Sequence, residues 1–483
     1  MLVLRVDLND LKHLLPKMTL PLHFGNSKIE YFCSPIIQTS IERIEKGFWI
    51  WIGEDDDPYR DIQDIDLRIS KYSLHTDCEG IAIFLQTKNN NPTISLVRTY
   101  QGTTPLYVNY QQDVLTVSWR YEDTIKNIAH IAPDLEFCRL FIQYGALQTR
   151  NQIIRDTFNF WPGEQLKCAL NKFSFASAPQ RNIPSPTPVR EDAMVCGAFF
   201  DIIKAGLARY TKKTKKPLVE LSGGLDSSTL ALAAGCVLPQ LFSYGLIQMG
   251  IMGEQQKKRR FEIVGLANAR DHEYPANSCP PFAGLNLPEC QRAIFDDNHR
   301  PGCISATDAH PEGPFDLLIA GIGGDELMME HTYTRSEWEV EGTVCTSTAV
   351  AGAGRADMFM RRGIWPINPL GSLDVIDFCR SLPQEYRKDR MLIKLNLARQ
   401  GVSDGFLFPR IHEHYGETMR DEMIGLDIES MLSSSIICSY GILNLLEMTD
   451  EARWSHYKGF DYTYILKLWN IAKIDKVLGS YLS

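Results

Sequence analysis

A chain of 483 residues is too long for a single hydrophobic core, so two or three domains are expected. An apolar share of 44% and a charged share of 23% are ordinary for a globular protein, and no apolar run reaches the length of a membrane span. The net charge of −9 argues against nucleic acid as the main partner, because a nucleic-acid-binding face needs an excess of basic residues.

The 12 cysteines are scattered singly along the chain, and none belongs to a Cys-x-x-Cys pair. This distribution predicts neither a zinc site nor a disulfide framework, and it fits a reduced, cytoplasmic compartment. The first residues carry an acid at Asp7 and no small-residue cleavage site, so no signal peptide is expected.

The N-terminal part of the chain, residues 1–180, is predicted to be mainly β-structure. Apolar runs separated by turn residues indicate strands, at 47–53, 80–85, 93–98, 105–110 and 114–119. A helix is expected near 135–144, and it leads to the run 158–166 and a further strand. Residues 176–188, crowded with Ala, Pro, Ser and Thr, are predicted to be the linker to a second domain, 181–483.

The second domain is predicted to alternate strands and helices. A helix at 193–210 precedes the run ending at Leu221, and further elements are expected at 240–246 (strand), 260–269 (helix), 273–274 (strand) and 315–320 (strand). Such alternation indicates a parallel sheet with helices on both faces, which binds ligands at the carboxyl ends of its strands. From about residue 343 the pattern is mostly helical, with a Gly/Ala-rich loop at 349–354 and helices near 373–381, 391–399 and 434–446.

The most informative stretch is Ser222-Gly223-Gly224-Leu225-Asp226-Ser227-Ser228, which lies between a short apolar run and a strong helix-forming run. Strand, glycine loop and helix form the usual construction for holding phosphate. Glycines let the backbone approach an anion, and the N–H groups of the first helical turn point at it. The serines add donors, and Asp226 could hold a magnesium ion on the same phosphates. The alternative is a β-turn that enters an ordinary helix.

A second loop of glycines and acids, Gly321-Ile322-Gly323-Gly324-Asp325-Glu326, follows the predicted strand at 315–320. Both loops are expected at carboxyl ends of strands in the parallel sheet. Asp226 and Asp325 are therefore predicted to be a pair of magnesium ligands. Taken alone, Asp325 would more often be a turn or helix-capping acid.

These motifs resemble those of the ATP-pyrophosphatase superfamily, whose members cleave ATP to AMP and pyrophosphate. Residues 222–228 are similar to the phosphate loop of that superfamily. Ser243-Tyr244-Gly245-Leu246 resembles the adenine-side strand end of its asparagine-synthetase branch, and residues 321–327 resemble the second motif of that branch.

The N-terminal part agrees with this branch. Residues 99–107 resemble the Asp-x-x-Gly-x-x-Pro-Leu-Tyr stretch of its glutaminase-like domain, and 160–164 resemble the later Leu-Pro-Pro-Gly turn. The resemblance implies an α/β protein, with an Ntn-hydrolase-like αββα sandwich over 1–180. Residues 181–483 would then form an adenine-nucleotide alpha-hydrolase-like parallel sheet with flanking helices.

Two departures from the branch narrow the expected function. Glutamine-dependent members begin Met-Cys, because that cysteine releases ammonia from glutamine, whereas this chain has Leu2, so its glutaminase-like domain should be inactive. Asparagine synthetases have a glutamate and β-lactam synthetases a tyrosine after the first glycine of the second motif. This chain has Ile322, which cannot act as acid or base. A Gly-Gly-Asp motif joined to a degenerate glutaminase domain resembles the macrolactam synthetases (cyclases) of lasso-peptide biosynthesis.

This resemblance implies ATP and Mg²⁺ as cofactors, a precursor peptide as substrate, and the leader peptidase of the same pathway as a further partner. Such an enzyme activates an Asp or Glu side chain of the peptide as an acyl-adenylate, which the N-terminal amine of the peptide attacks to close an isopeptide ring. The implied ATP-binding residues are Leu221, Ser222, Gly223, Gly224, Leu225, Asp226, Ser227, Ser228, Gly245, Leu246, Gly321, Gly323 and Gly324.

Relatives also place a basic residue near the phosphates late in the chain, and the nearest match here puts Arg410 and His412 at that place. Arginine keeps its charge and suits phosphate, and a histidine could move a proton. An exposed or capping histidine is the alternative for His412, and Lys394 is a further candidate.

Other functions stay open. The chain could be a β-lactam- or asparagine-synthetase-like ligase acting on a small amino-acid substrate. It could also be an inactive homologue that binds nucleotide or peptide as a scaffold, although Asp226, Asp325 and the loop serines argue against this. A related enzyme acting on tRNA is disfavoured by the acidic balance and by the N-terminal domain.

Overall fold

The computed structural model of the chain describes residues 1–13, 20–44, 47–75, 78–88, 91–145, 149–176, 184–295, 297–324, 327, 347–411, 416–442 and 462–482. It has a mixed α/β architecture, in which a five-stranded parallel sheet with flanking helices accompanies two six-stranded antiparallel sheets.

The described strands are β1 (Leu2–Asp7), β2 (Leu22–Phe24), β3 (Ser27–Tyr31), β4 (Gln38–Ile44), β5 (Gly47–Gly53), β6 (Gly80–Lys88), β7 (Asn91–Arg98), β8 (Tyr107–Gln111), β9 (Val114–Ser118), β10 (Thr157–Asn159), β11 (Gln165–Ala169), β12 (Lys172–Ala176), β13 (Pro217–Glu220), β14 (Phe242–Ile247), β15 (Arg270–Pro275), β16 (Leu317–Ile319) and β17 (Trp365–Ile367). The described α-helices are α1 (Ile65–His75), α2 (Tyr121–Ile125), α3 (Leu135–Tyr144), α4 (Val195–Ala208), α5 (Leu225–Val237), α6 (Gly250–Ala267), α7 (Pro281–Gly284), α8 (Arg300–Ala309), α9 (Ser347–Met360), α10 (Leu373–Ser381), α11 (Gln384–Arg387), α12 (Met391–Arg399), α13 (Asp404–Leu407), α14 (Gly416–Ile424), α15 (Ile428–Ser433), α16 (Ile436–Ser439) and α17 (Tyr462–Leu482). Short 3₁₀ turns lie at Leu8–His13, Ala276–Ser278, Pro288–Gln291, Pro369–Gly371 and Lys388–Arg390.

The two antiparallel sheets, with strand orders β10-β8-β9-β1-β3-β2 and β12-β11-β7-β6-β5-β4, share one hydrophobic core. Because side chains alternate along a strand, β5 is buried on both faces. Its isoleucines Ile50 and Ile52 belong to the core shared by the two sheets, whereas Trp49 and Trp51 pack with Tyr72 of α1 on the outer face. This half of the chain is therefore layered, with a helix outside the second sheet.

The antiparallel sheets are tied to the C-terminal half by buried polar contacts. Trp365 Nε1 in β17 donates a hydrogen bond to Glu54 Oε1 at 2.7 Å. Arg361 at the end of α9 binds both carboxylate oxygens of Glu122 in α2 at 2.8 Å. Burial raises the pKa of Glu54, because it disfavours the charged form. The ionised carboxylate is therefore stabilised by its hydrogen-bond donors.

The parallel sheet has the strand order β15-β14-β13-β16-β17, and every pairing in it is parallel. From β13 the chain builds outward to β14 and β15, then crosses to the other side of β13 to add β16 and β17. The order therefore reverses between β13 and β16. In sheets of this kind, the crevice outside the carboxyl ends of the strands at the reversal is where ligands bind.

Several sequence predictions are confirmed within the described residues, among them the helices at 135–144, 373–381 and 391–399. The predicted Gly/Ala-rich loop at 349–354 is wrong, because these residues lie inside α9. Alanine has the highest helix propensity, and packing of α9 against β17 compensates for the glycines. Most of the expected linker, residues 177–183, lies outside the described residues.

Other differences concern the bounds of two helices. The helix predicted at 260–269 begins much earlier, at Gly250, because tertiary packing overrides weak propensity in its first turns. Of the helix predicted at 434–446, the structure describes α16, while residues 443–446 lie outside the described part. In the described ranges, no helix combines the length and apolarity needed to traverse a lipid bilayer.

Candidate functional site

The first glycine loop is held in a tight, preformed conformation between β13 and α5. Gly223 has φ of +87°, in the left-handed region that favours glycine. Ser222 Oγ accepts a hydrogen bond from the Gly224 N–H at 3.1 Å and lies 3.1 Å from Ser227 Oγ. The loop is thus closed by its own side chains.

The N-terminus of α5 has the features of an anion site. Gly224 occupies the N-cap position of this 13-residue helix and has no side chain to cap it, so the first-turn N–H groups keep their donor capacity. Ser222 is exposed and faces solvent, whereas Ser227 and Ser228 are buried. Of the serines expected to contact phosphate, Ser222 is therefore the accessible one, and Ser227 acts within the loop.

The second glycine loop, which follows β16, lies directly against the first. A Cβ added to Gly321 would stand 3.0 Å from the backbone nitrogen of Ser227. A Cβ added to Gly324 would stand 2.6 Å or less from Cγ and both oxygens of the Asp226 carboxylate. The two loops thus meet at the strand-order reversal, and the space of a missing side chain at Gly324 receives the carboxylate of Asp226.

The contact between the two loops provides some of the ligands that a divalent cation needs. Asp226 offers carboxylate oxygens, the ligands that Mg²⁺ prefers, beside a helix N-terminus suited to phosphate. Its predicted partner Asp325, together with Glu326, lies outside the described residues. Within the described ranges, no three or more His, Cys, Asp or Glu side chains lie together so that they could hold a metal ion. A magnesium ion held by Asp226 would therefore need phosphate oxygens or water as further ligands.

Gln256 of α6 joins the first loop to the end of β14, a role that the sequence did not predict. Its Nε2 donates to the carbonyl oxygens of Ser222 and Leu246, both at 2.8 Å, and its Oε1 accepts from the Gln248 N–H at 2.9 Å. Gln256 thereby brings the predicted segment 245–246 to the loop. A glutamine on a helix gives no local signal for such a contact.

Arg260 lies beneath this junction and explains the glycine at position 245. Its side chain is fully buried and pairs with Asp271. A Cβ at Gly245 would overlap the guanidinium, so only glycine leaves room for it. The carbon Cγ of Arg260 would also be 3.4 Å from a Cβ at Gly223. The guanidinium is therefore fixed under the loop, with the Asp271 carboxylate as its counter-charge.

A cluster of ion pairs holds the carboxyl end of β13, next to the strand-order reversal. Arg355 of α9 binds both oxygens of Glu220, the last residue of β13, at 2.7 and 2.8 Å. Its Nε lies 2.5 Å from Asp297, which also pairs with His299 at 3.1 Å. Burial favours a higher pKa for Asp297, but Arg355 and His299 outweigh it and hold the pKa far below the usual range. Asp297 is thus a fixed negative charge.

Arg390 is a further residue that the sequence did not indicate. Its Nη1 lies 3.5 Å from Asp226 Oδ2, and its side chain is about one-third exposed. Arg390 and the preceding Asp389 both have left-handed backbones, with φ of +56° and +51°. Such a conformation costs a non-glycine residue about 1 kcal/mol or more. In the sequence, residues 387–390 form a short charged run of the kind that usually faces solvent.

The late basic candidates lie nearby but differ in their surroundings. Lys394 Nζ stands over the ring of Phe408, 5.2 Å from its centroid. Arg410 is exposed, and its backbone N–H donates to Gln255 Oε1 at 3.1 Å, next to the Gln256 that anchors the first loop. His412 lies outside the described residues.

The described geometry can hold a phosphate chain with a divalent cation at the strand-order reversal. Comparison of the chain with models of known protein families finds no match, and a search of curated proteins finds none either. The functional assignment accordingly depends on the site itself.

Proposed function

We propose that the chain is an ATP-dependent, AMP-forming carbon–nitrogen ligase. The observation that carries the proposal is the contact between the two glycine loops. The carboxylate of Asp226 fills the space that Gly324 leaves beside the N-terminus of α5. A helix N-terminus, an exposed serine and an acid suited to Mg²⁺ together suit a nucleoside triphosphate better than a neutral ligand.

In the proposed reaction, a substrate carboxylate attacks the α-phosphorus of ATP, pyrophosphate leaves, and an acyl-adenylate remains. An amine then attacks the acyl carbon, and AMP departs with the electron pair of the acyl carbon–oxygen bond. The amine nitrogen loses one proton to water as the amide forms. Backbone N–H groups of Gly223, Leu225 and Asp226 would bind the phosphates, because those of Ser222 and Gly224 are already bonded within the loop. Mg²⁺, held by Asp226 and by Asp325, would neutralise charge on the phosphates.

For the substrate we infer a peptide whose ring is closed between its N-terminal amine and an Asp or Glu side chain, as in lasso-peptide maturation. A cavity of about 70 Å³ lies between the antiparallel sheets and α9. Its lining includes the aromatic side chains of Tyr107, Phe137, Phe141, Phe160, Trp161 and Phe295. Such a cavity suits one apolar side chain of a peptide better than free aspartate and ammonia. Residues 353–354, on its wall, directly precede Arg355.

The N-terminal half would then serve as a structural and substrate-binding part. Leu2 is fully buried in β1, between β3 and β9, and carries no nucleophile. The peptide's own amine removes the need for ammonia. The described cysteines are free thiols, which agrees with the proposed cytoplasmic location. A leader peptidase that supplies the free amine is the further partner we propose.

The test is to incubate the protein with ATP, Mg²⁺ and a leader-cleaved candidate peptide, and to follow AMP, pyrophosphate and peptide mass. Equal amounts of AMP and pyrophosphate, with loss of one water from the peptide, support the proposal. Asp226→Asn should lower turnover at least 10- to 100-fold, about the loss that even an outer partner of a metal ligand causes. Asp201→Asn, at an exposed acid on α4, is the matched control.

Two results would contradict the peptide assignment. AMP formation with aspartate and ammonia alone would favour the small-substrate ligase. Nucleotide binding without turnover on any acceptor would favour a scaffold. If Asp226→Asn retained full turnover, the proposed role of the two loops would be wrong.

A further inference from the structure

An aspartate–histidine pair lies at the start of α8. His299 occupies the N-cap position of this helix, and Asp297 Oδ1 contacts it at two points. This oxygen accepts a hydrogen bond from the His299 backbone N–H at 2.9 Å and lies 3.1 Å from the ring nitrogen Nδ1. Arg355 Nε lies 2.5 Å from the other carboxylate oxygen, Oδ2. The imidazole is thus oriented by a fixed carboxylate, while 38% of the His299 side chain is exposed.

Contacts of α8 place this pair near the carboxyl end of β13. Arg355 binds both Asp297 and Glu220, the last residue of that strand. Cys303 follows His299 by one helical turn, and its Sγ lies 3.7 Å from Glu220 Oε1. Because residues four apart lie on the same side of a helix, the side of α8 that carries His299 faces the end of β13. The first glycine loop begins there, two residues after Glu220, at Ser222.

The pair also determines which ring nitrogen of His299 is basic. An ionised carboxylate only accepts hydrogen bonds, so the nitrogen next to Asp297, Nδ1, carries the proton of the neutral imidazole. The lone pair is then on the other nitrogen, Nε2. A carboxylate on Nδ1 holds the ring in this tautomer and stabilises the imidazolium that forms when Nε2 takes up a proton. This arrangement is suited to general-base catalysis.

The proposed reaction needs a base for its second step, because the attacking amine must lose a proton. In the described part of the two glycine loops, Asp226 is the one side chain that is an acid or a base, and we assign it to Mg²⁺. Ile322 of the second loop cannot accept a proton. The base must therefore come from outside the loops, and His299 is an imidazole on the side of α8 that faces them.

We propose that His299 is the general base of the second half-reaction and that its Nε2 accepts the proton of the attacking amine. This inference rests on the proposed function, and it makes His299 a catalytic residue. As the amine nitrogen bonds to the acyl carbon, the bond from this carbon to the AMP oxygen breaks and its electron pair leaves with AMP. The amine proton passes to Nε2, and the imidazolium, stabilised by Asp297, then releases it to water. Adenylation involves no amine, so the first half-reaction does not require His299.

The test uses the full-length protein and measures the two half-reactions separately. ATP–pyrophosphate exchange with an N-acetylated, leader-cleaved peptide reports adenylation alone, because this peptide has no free amine. Ring closure is followed with the unmodified peptide at saturating concentration. His299→Asn suits the N-cap position and offers an amide N–H to Asp297, so the melting temperature should stay unchanged. Exchange should also stay unchanged, whereas ring closure should slow about 100- to 10,000-fold, the usual contribution of a general base.

His23→Asn is the matched control, because His23 is an exposed histidine on β2 that also lies beside a carboxylate, that of Glu30. Both half-reactions should proceed in it as in the wild type. If His299→Asn closes the ring at the wild-type rate, the inference is wrong while the proposed function stands. An equal loss of exchange and ring closure, or a weaker affinity for the peptide with an unchanged rate at saturation, would also overturn it. Failure of the wild type to catalyse exchange would overturn both.

Discussion

Replacing Gly324 with alanine is expected to remove magnesium-dependent activity without unfolding the protein. The added Cβ would stand 2.6 Å or less from the carboxylate atoms of Asp226, whereas carbon atoms in ordinary contact are about 3.5–4.0 Å apart. Asp226 must therefore move by about 1 Å. The φ of Gly324 lies outside the left-handed region, so alanine meets no backbone strain and the contact alone causes the effect.

The magnitude follows from this displacement. A misplacement of about 1 Å in a catalytic constellation lowers rates roughly 100-fold, and we expect at least this loss of adenylation. Stability should fall by only about 1–3 kcal/mol, because the Asp226 side chain can turn away. Gly265→Ala is the control: it adds a Cβ on the exposed face of α6 with no heavy atom within 4 Å. It should raise stability by about 0.5–1 kcal/mol and leave activity unchanged.

The assay combines ATP–pyrophosphate exchange, titrated with Mg²⁺, and thermal unfolding of both variants. The diagnostic result for Gly324→Ala is a large rise in the Mg²⁺ concentration needed for half-maximal exchange, with a melting temperature that falls by only several degrees. A wild-type Mg²⁺ dependence in this variant would refute the reasoning, because Asp226 could not then be the metal ligand in its present position.

Trp365→Phe should destabilise the protein by about 1–3 kcal/mol in urea unfolding at pH 7, because it leaves the buried Glu54 carboxylate one donor short; an unchanged midpoint would contradict this role. His310 should make stability pH-dependent. Its Nδ1 accepts from the Glu312 N–H and its Nε2 bonds to the Ser243 carbonyl, both at 3.2 Å, and burial lowers its pKa. The stability from this neutral form is present above the ordinary pKa of 6.5 and is lost as pH falls through the lowered pKa. His310→Gln should flatten melting temperature against pH below 6.5; an unchanged slope would exclude His310 as the cause.

The glycine loops could be predicted from the sequence because their chemistry is local. Ser222 to Ser228 combine glycines, hydroxyls and an acid at the junction of strand and helix, and each feature acts within a few residues. Buried strands such as β5 and β7 were equally visible, since their apolar runs end at turn residues.

The rest of the site could not be predicted, because it depends on distances across the fold. Arg390 reaches Asp226 from a segment more than 160 residues away, and Gln256 reaches Ser222 across helix α5, strand β14 and the start of α6. Neither residue stands in a pattern that differs from an ordinary helix surface. The Gly/Ala-rich run at 349–354 was misread for a related reason, since the packing that makes it helical comes from β17.

The hydrogen bond between Trp365 and Glu54 also bears on how the chain unfolds, since it links residues 311 positions apart. Unfolding of the C-terminal half would expose the buried carboxylate of Glu54 to water. Unfolding of the N-terminal half would likewise expose the ring of Trp365. The two halves should therefore lose their structure together in one cooperative transition, and resistance to proteases should disappear in a single step. An N-terminal half for which we propose no chemistry would then persist, because the half that carries the proposed site cannot stay folded without it.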